Sequence, residues 1–278
     1  MSRSSQVSIV ESPVTKYLEW KNLSETIIVD GEEITKNKGA SFVSYNKDTK
    51  VNVPLKLPIK FAILNPDLVT FKGYDDKSKT GYWSNEVDGD KRKGDPIVTV
   101  KNKNGIVMTF PLSEYKLNSA KLAGMGIKYV KSVYGALDTS NGWELVNFQI
   151  KGAAFSGAPE DGNNMTSDEK HEGWINFTKD MKGKMFKNCV EINGFKLKKK
   201  GATKFSIPVF EIGDEINEKT GMILDELDKT LNEYLTFYFN KPVEAKEVKG
   251  NDASVEKTET KEEISAAIND NDDNDLPF

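Results

Sequence analysis

Ile127-Lys128-Tyr129-Val130-Lys131-Ser132-Val133-Tyr134-Gly135-Ala136-Leu137 is followed, across Asn141-Gly142, by a second long apolar-rich run, Trp143–Ala154. Both runs are rich in β-branched and aromatic residues, and Asn-Gly readily takes the positive-φ backbone of a tight hairpin. This pair decides the fold class, because the same grammar recurs on either side of it. Upstream, Ile97–Val100 and Ile106–Phe110 flank Asn104-Gly105, a second hairpin signal. Downstream, Phe186–Leu197 and Thr203–Ile212 form a third pair with Lys198-Lys199-Lys200-Gly201 at its turn, and Asn193-Gly194 marks a turn or bulge inside the first arm.

Further towards the N-terminus, strands are predicted at Thr26–Val29, Ser41–Tyr45, Phe61–Leu64, Leu68–Tyr74 and Gly81–Val87. Val51, Val53, Leu55 and Leu57 alternate with polar residues, and Pro54 and Pro58 place that segment at a sheet edge or bend. Four helices interrupt this pattern. One is expected to start at Ser12-Pro13 and to carry Val14, Tyr17, Leu18 and Trp20. Ser113–Ala123 makes a short one, and Asp168–Lys182 another with Trp174, Phe177 and Met181 as its stripe. The last, from about Gly221 to Phe239, repeats Ile223, Leu224, Leu227, Leu231, Tyr234 and Leu235 at helical spacing.

The expected fold is mainly β with a few helices: an OB-fold-like, partly open β-barrel with elaborated loops and a C-terminal helix. A β-sandwich fits the strand pattern almost as well. The domain spans residues 13–243, between a flexible arm at 1–12 and a disordered acidic tail at 244–278.

Composition narrows the function. The 278 residues carry a net charge of −4, but residues 244–278 hold eleven Asp/Glu and four Lys, leaving 35 basic against 32 acidic residues elsewhere. A mildly basic body with a strongly acidic tail suits a polyanion-binding protein whose tail competes for the same surface. The single cysteine, Cys189, excludes an internal disulfide. With a polar opening segment and no apolar run approaching ~18 residues, a soluble, cytoplasmic protein is expected.

Catalysis finds little support. The one histidine, His171, sits in the polar run Asp168-Glu169-Lys170-His171-Glu172, and reads as an exposed side chain. Cys189 and His171 together lack two of the ligands of a zinc site. Asp270-x-Asp272-x-Asn274 lacks the glycine and the distal glutamate of a calcium loop. Ala123-Gly124-Met125-Gly126 lacks the spacing and the Lys-Ser/Thr of a phosphate loop. No cofactor or metal is expected. A nuclease or resolvase with metal-binding carboxylates scattered along the chain stays open, as does a virion structural or adaptor protein.

A single-strand groove needs cations for phosphates and aromatic faces for bases. Phe71, Lys72, Tyr74, Lys77, Lys79, Tyr82, Trp83 and the loop Lys91-Arg92-Lys93 supply both within one stretch. Lys128, Lys131, Tyr134, Lys151 and Phe155 form a second group. On the first strand of the central hairpin, Lys128 and Tyr134 share a face while Tyr129 and Lys131 take the other, so one set is available to the core. Trp83 and Tyr74, flanked by Gly and Lys, are the best candidates for exposed platforms. Lys198–Lys200 reads as a solvated hairpin tip.

The chain closes on Asp270, Asp272, Asp273 and Asp275 followed by Leu276-Pro277-Phe278. An apolar end on an acidic tail makes physical sense if a basic-rimmed pocket on another protein receives it. This ending resembles the acidic tip of bacterial and phage single-stranded DNA-binding proteins. The body, from Lys16-Tyr17-Leu18-Glu19-Trp20 through Gly81-Tyr82-Trp83-Ser84-Asn85-Glu86-Val87 to Gly152-Ala153-Ala154, is similar to a phage-encoded group of the same kind. The resemblance implies an OB-fold core, single-stranded DNA as ligand, and replication or recombination proteins as partners of the tip. The chain departs from zinc-containing phage relatives in lacking a Cys/His cluster, and from bacterial ones in its charged Glu/Lys/Thr linker. Oligomeric state does not carry over.

Overall fold

The computed structural model describes residues 11–29, 32–46, 49, 51–159 and 172–240. Residues 1–10 of the expected arm, the tail with its tip Asp270–Phe278, and His171 lie outside the described residues.

Among the described residues, twelve strands form one branched sheet. The first two, β1 (Lys16–Val29) and β2 (Glu32–Asn46), make a long antiparallel hairpin, with β3 (Val51–Pro54) on its outer edge. The longest strand, β4 (Ile59–Asp75), turns into β5 (Thr80–Ser84) and the short β6 (Val87–Asp88). Two hairpins follow at the Asn-Gly signals, β7 (Ile97–Asn102) with β8 (Gly105–Pro111), and β9 (Ile127–Thr139) with β10 (Gly142–Lys151). The third pair is β11 (Asn188–Lys200) with β12 (Thr203–Glu215), and its register shifts at Ile192/Gly194, where Asn193-Gly194 makes a bulge.

The main path runs β3-β2-β1-β10-β9-β4-β5-β7-β8, antiparallel except for β1 beside β10. One edge of β4 carries two separate wings. Near its start, Ile59–Phe61 pair with Ile192–Val190 of β11, and near its end, Lys72–Asp75 pair with β5. The ladder does not close. Instead β12 returns towards β1 through side chains: Trp20 Nε1 donates to the carbonyl and hydroxyl oxygens of Ser206, both at 3.1 Å.

One face of this curled sheet holds the larger core, including Leu18, Phe42, Phe61, Phe71, Tyr129, Val133, Phe148 and Ile150. Helices α1 (Tyr115–Gly124), α2 (Ala153–Ser156) and α3 (Trp174–Asp180) add Tyr115, Leu122, Phe155, Trp174 and Phe177 to it. The opposite face is covered only in part. There the amphipathic α4 (Glu218–Asn240), opened by Asn217 Oδ1 accepting from the Thr220 amide, seats Leu224 on Ala62 and Ala136. Leu231 and Leu235 pack with Leu68, Tyr134 and Leu145. Burying such a leucine stabilises the fold by about 1.5–3 kcal/mol.

Three expectations need correction. No helix follows Ser12-Pro13: residues 16–29 are strand, with Leu18 turned into the core and Tyr17 outward. Phe61–Leu64 and Leu68–Tyr74 are one strand, because the Asn65-Pro66 segment is taken up as register shifts against β9 rather than as a break. Lys198 is not a solvated tip residue. It is 5 % exposed, with its ammonium 2.6 Å from Glu172 and donating to the Ala158 carbonyl at 2.8 Å. Of the segment expected as a helix at Asp168–Lys182, residues 172–182 are described, and the helix among them is Trp174–Asp180.

Candidate nucleic-acid interface

Cross-strand partners in a sheet point to the same face. Lys101 on β7 partners Trp83 on β5, Trp83 partners Lys72 on β4, and Lys72 partners Lys128 on β9. These four residues therefore form one row on the face opposite the larger core. Tyr74 lies two residues beyond Lys72 and opposite Gly81, so it shares that face with no side chain beside it from β5. Trp83 is 45 % and Tyr74 52 % exposed.

The face continues across the hairpin into β1. Lys151 partners Val130, two residues from Lys128, while Gln149 partners both Ser132 and Glu19, and Asn147 partners Tyr17. Tyr17 is 43 % exposed, and the Lys72 ammonium lies 5.8 Å from its ring centre, a cation–π contact. The same ammonium donates to Gln149 Oε1 at 2.9 Å. Its pKa is lowered by burial, against the pull of Glu19 and Glu86. From β7 to β1 there are five strand spacings, roughly 24 Å at ~4.8 Å each.

Where this open surface ends, α4 begins. Tyr238 Oη accepts the Glu86 amide hydrogen at 3.0 Å. The Glu86 carboxylate accepts from Ser132 Oγ and, at 2.5 Å, from Tyr134 Oη, and Asn147 Nδ2 donates to Ser132 Oγ at 2.7 Å. This polar set ties the end of the helix to the β5–β6 connection and, through it, to β9 and β10.

The structure sorts the sequence-predicted residues. Lys72, Tyr74, Trp83, Lys128 and Lys151 come together on the open face, with Lys77 and Lys79 exposed in the turn between β4 and β5. Phe71, Tyr134 and Phe155 are corrections: all three are buried, and a buried ring offers no face to a base. Tyr82 partners Gly73 and packs against the larger core on the other side of β5. Lys131 is also turned away, set beside Asp67 and Asp88, with its pKa lowered by burial. In the basic loop, Arg92 is clamped by Asp90 at 2.7 Å and Lys93 by Asp88 at 2.7 Å, so both positive charges are answered internally. The Arg92 hydrogen bonds hold the Asp90 carboxyl at a pKa of about 2. The side chain of Lys91 lies outside the described residues, as do Asp270, Asp272, Asp273, Asp275, Leu276, Pro277 and Phe278.

Sequence reasoning missed Tyr17, Lys21, Lys101 and Gln149. For Tyr17 and Lys21 the signal was present: Tyr17-Leu18-Glu19-Trp20-Lys21 alternates polar-tipped and apolar residues with the period of a strand.

Among the described residues, no group of three or more His, Cys, Asp or Glu side chains is placed to hold a metal ion, and no helix is long and apolar enough to cross a membrane. Cys189 is buried with a free thiol, its pKa raised by burial. Comparison of the chain with protein-family models, curated proteins and solved structures returned no match.

Proposed function

We propose that this protein binds single-stranded DNA without sequence preference, protecting it during replication, recombination or repair. The row Lys101–Trp83–Lys72–Lys128, with Tyr74 and Tyr17 on the same face, is the observation that carries this reading. Exposed aromatic rings interleaved with ammonium groups match what stacked bases and a phosphate backbone require. All four bases have a π-face, so such a surface is tolerant of sequence. Each stacked base contributes about 1–3 kcal/mol, and phosphate contacts add a salt-dependent term. The curl that brings β12 back to β1 supports reading the body as an elaborated OB-like barrel. In this scheme the acidic segment 244–278 recruits partner enzymes through Leu276-Pro277-Phe278 and competes with DNA for the lysine face.

The test is a titration of the full chain with poly(dT), following tryptophan fluorescence at several salt concentrations. The expected result is quenching on binding and an affinity that falls steeply as salt rises. Absence of any salt-dependent affinity for oligonucleotides would overturn the reading and favour a structural or adaptor role.

A further inference from the structure

Glu19 is the one carboxylate projecting among the open-face lysines in the described residues of β1, β10 and the adjoining part of β9. Its Oε2 lies 3.4 Å from Lys151 Nζ and 3.8 Å from Lys21 Nζ. Its strand partner, Gln149, holds the Lys72 ammonium. Two cations on neighbouring strands are thus drawn to this carboxylate, and a third, Lys72, is held on its strand partner. The Glu19 side chain is about a quarter exposed, and those of Lys151 and Lys21 are 34 % and 41 % exposed. A pair this accessible adds little to folding. A structural explanation is therefore weak.

We propose that Glu19 is a built-in competitor for the phosphate backbone: in the free protein its carboxylate occupies a phosphate position, and nucleic acid must take Lys151 and Lys21 from it. This rests on the single-strand-binding reading and adds to it a residue that weakens binding while keeping the lysines gathered. The two states differ only in side-chain partners. Bound phosphates replace one carboxylate, and Glu19 is left facing solvent and the strand. A surface built this way discriminates by charge density. A dense run of phosphates displaces the carboxylate, whereas an isolated anion gains one contact and must break another.

The inference is tested with the full chain carrying Glu19→Gln, with Glu226→Gln on the exposed side of α4 as a control of equal charge change. Both are titrated with dT oligonucleotides over a salt series. Glu19→Gln is expected to bind about threefold tighter or more at low salt, and to steepen the plot of log K against log salt by about 0.7, as for one added phosphate contact on a single strand. Glu226→Gln should leave the slope unchanged. Adding Lys151→Gln to Glu19→Gln should remove the gain, as expected of groups acting through one contact. If the unmodified chain binds DNA but Glu19→Gln behaves like Glu226→Gln, the competitor idea fails and the binding reading stands. If the unmodified chain does not bind, both fail.

Discussion

Lys72 and Lys128 stand directly opposite one another on neighbouring strands, two cations on the same face of a sheet. Like charges so placed destabilise the pair, and a polyanion laid across them relieves the repulsion. Lys128 is exposed and gives the fold little. Replacing it with Gln is expected to leave the thermal midpoint unchanged or slightly higher. The same change should weaken binding to all oligonucleotide sequences alike and flatten the salt slope by about 0.7. Anisotropy titrations with dT and mixed-sequence strands check both halves.

Trp83 and Tyr74 are about half exposed, whereas Phe71, three residues before Tyr74, is fully buried. Trp83→Ala and Tyr74→Ala should therefore each cost about 1–3 kcal/mol of DNA affinity with little change in stability. Phe71→Ala should cost about 3–5 kcal/mol of folding stability. Circular dichroism melts beside the binding titrations separate the two classes.

Burial lowers the pKa of Lys131 and of Lys72 in the folded chain. Between each lowered value and the ordinary 10.5, the unfolded chain binds more protons, so these two groups make stability rise with pH in that window. Tyr134 acts the other way. Burial first, then Glu86, raises its pKa, so above the ordinary 10.0 only the unfolded chain releases the proton and stability falls. Urea midpoints should show the parent protein gaining on Lys131→Met as the pH rises towards the ordinary lysine value of 10.5. A parent that loses ground to Lys131→Met over that range would contradict the assignment.

Gly73 has no room for a side chain. A Cβ placed there would lie 2.2 Å from the carbonyl oxygen of Gly126, where the chain enters β9. Gly73→Ala is expected to lower stability by about 1–3 kcal/mol. Because the clash lies next to the Lys72–Lys128 pair, it should also reduce DNA affinity in the variant that still folds. Stability and affinity measured on one preparation would show both losses.

Removing residues 269–278 takes away four aspartates and Leu276-Pro277-Phe278. On the proposed function, the shortened chain binds single strands more tightly at low salt and no longer retains partner enzymes in pull-down assays. Equal affinity for DNA at low salt would remove the competition between the tail and the lysine face.

The sequence was readable where a local device sets the geometry. Asn104-Gly105 and Asn141-Gly142 sit at hairpin turns, and the leucine spacing from Ile223 to Leu235 belongs to one helix. It misled where a distant partner decides. Ser12-Pro13 is a good helix start in isolation, but the segment that follows finds a ladder beside β2 and β10, and tertiary pairing outweighs a weak local preference. Within the candidate site, alternation told which residues share a face, but not which face is covered. Tyr134 and Lys128 share a side, yet α4 lies over one and leaves the other open. Arg92 and Lys93 looked like free charge because the acidic residues that hold them act through a folded loop.

The register shifts of β4 between Ile63 and Leu68 have a further consequence. Downstream of them, Lys72 and Tyr74 lie on the open face, while Phe71 points into the larger core. Losing a single residue from that bend would exchange the two sets, turning an ammonium group inward and a phenyl ring outward. Functional descendants of this chain should therefore vary in loop length almost anywhere else before they change the count of amino acids there.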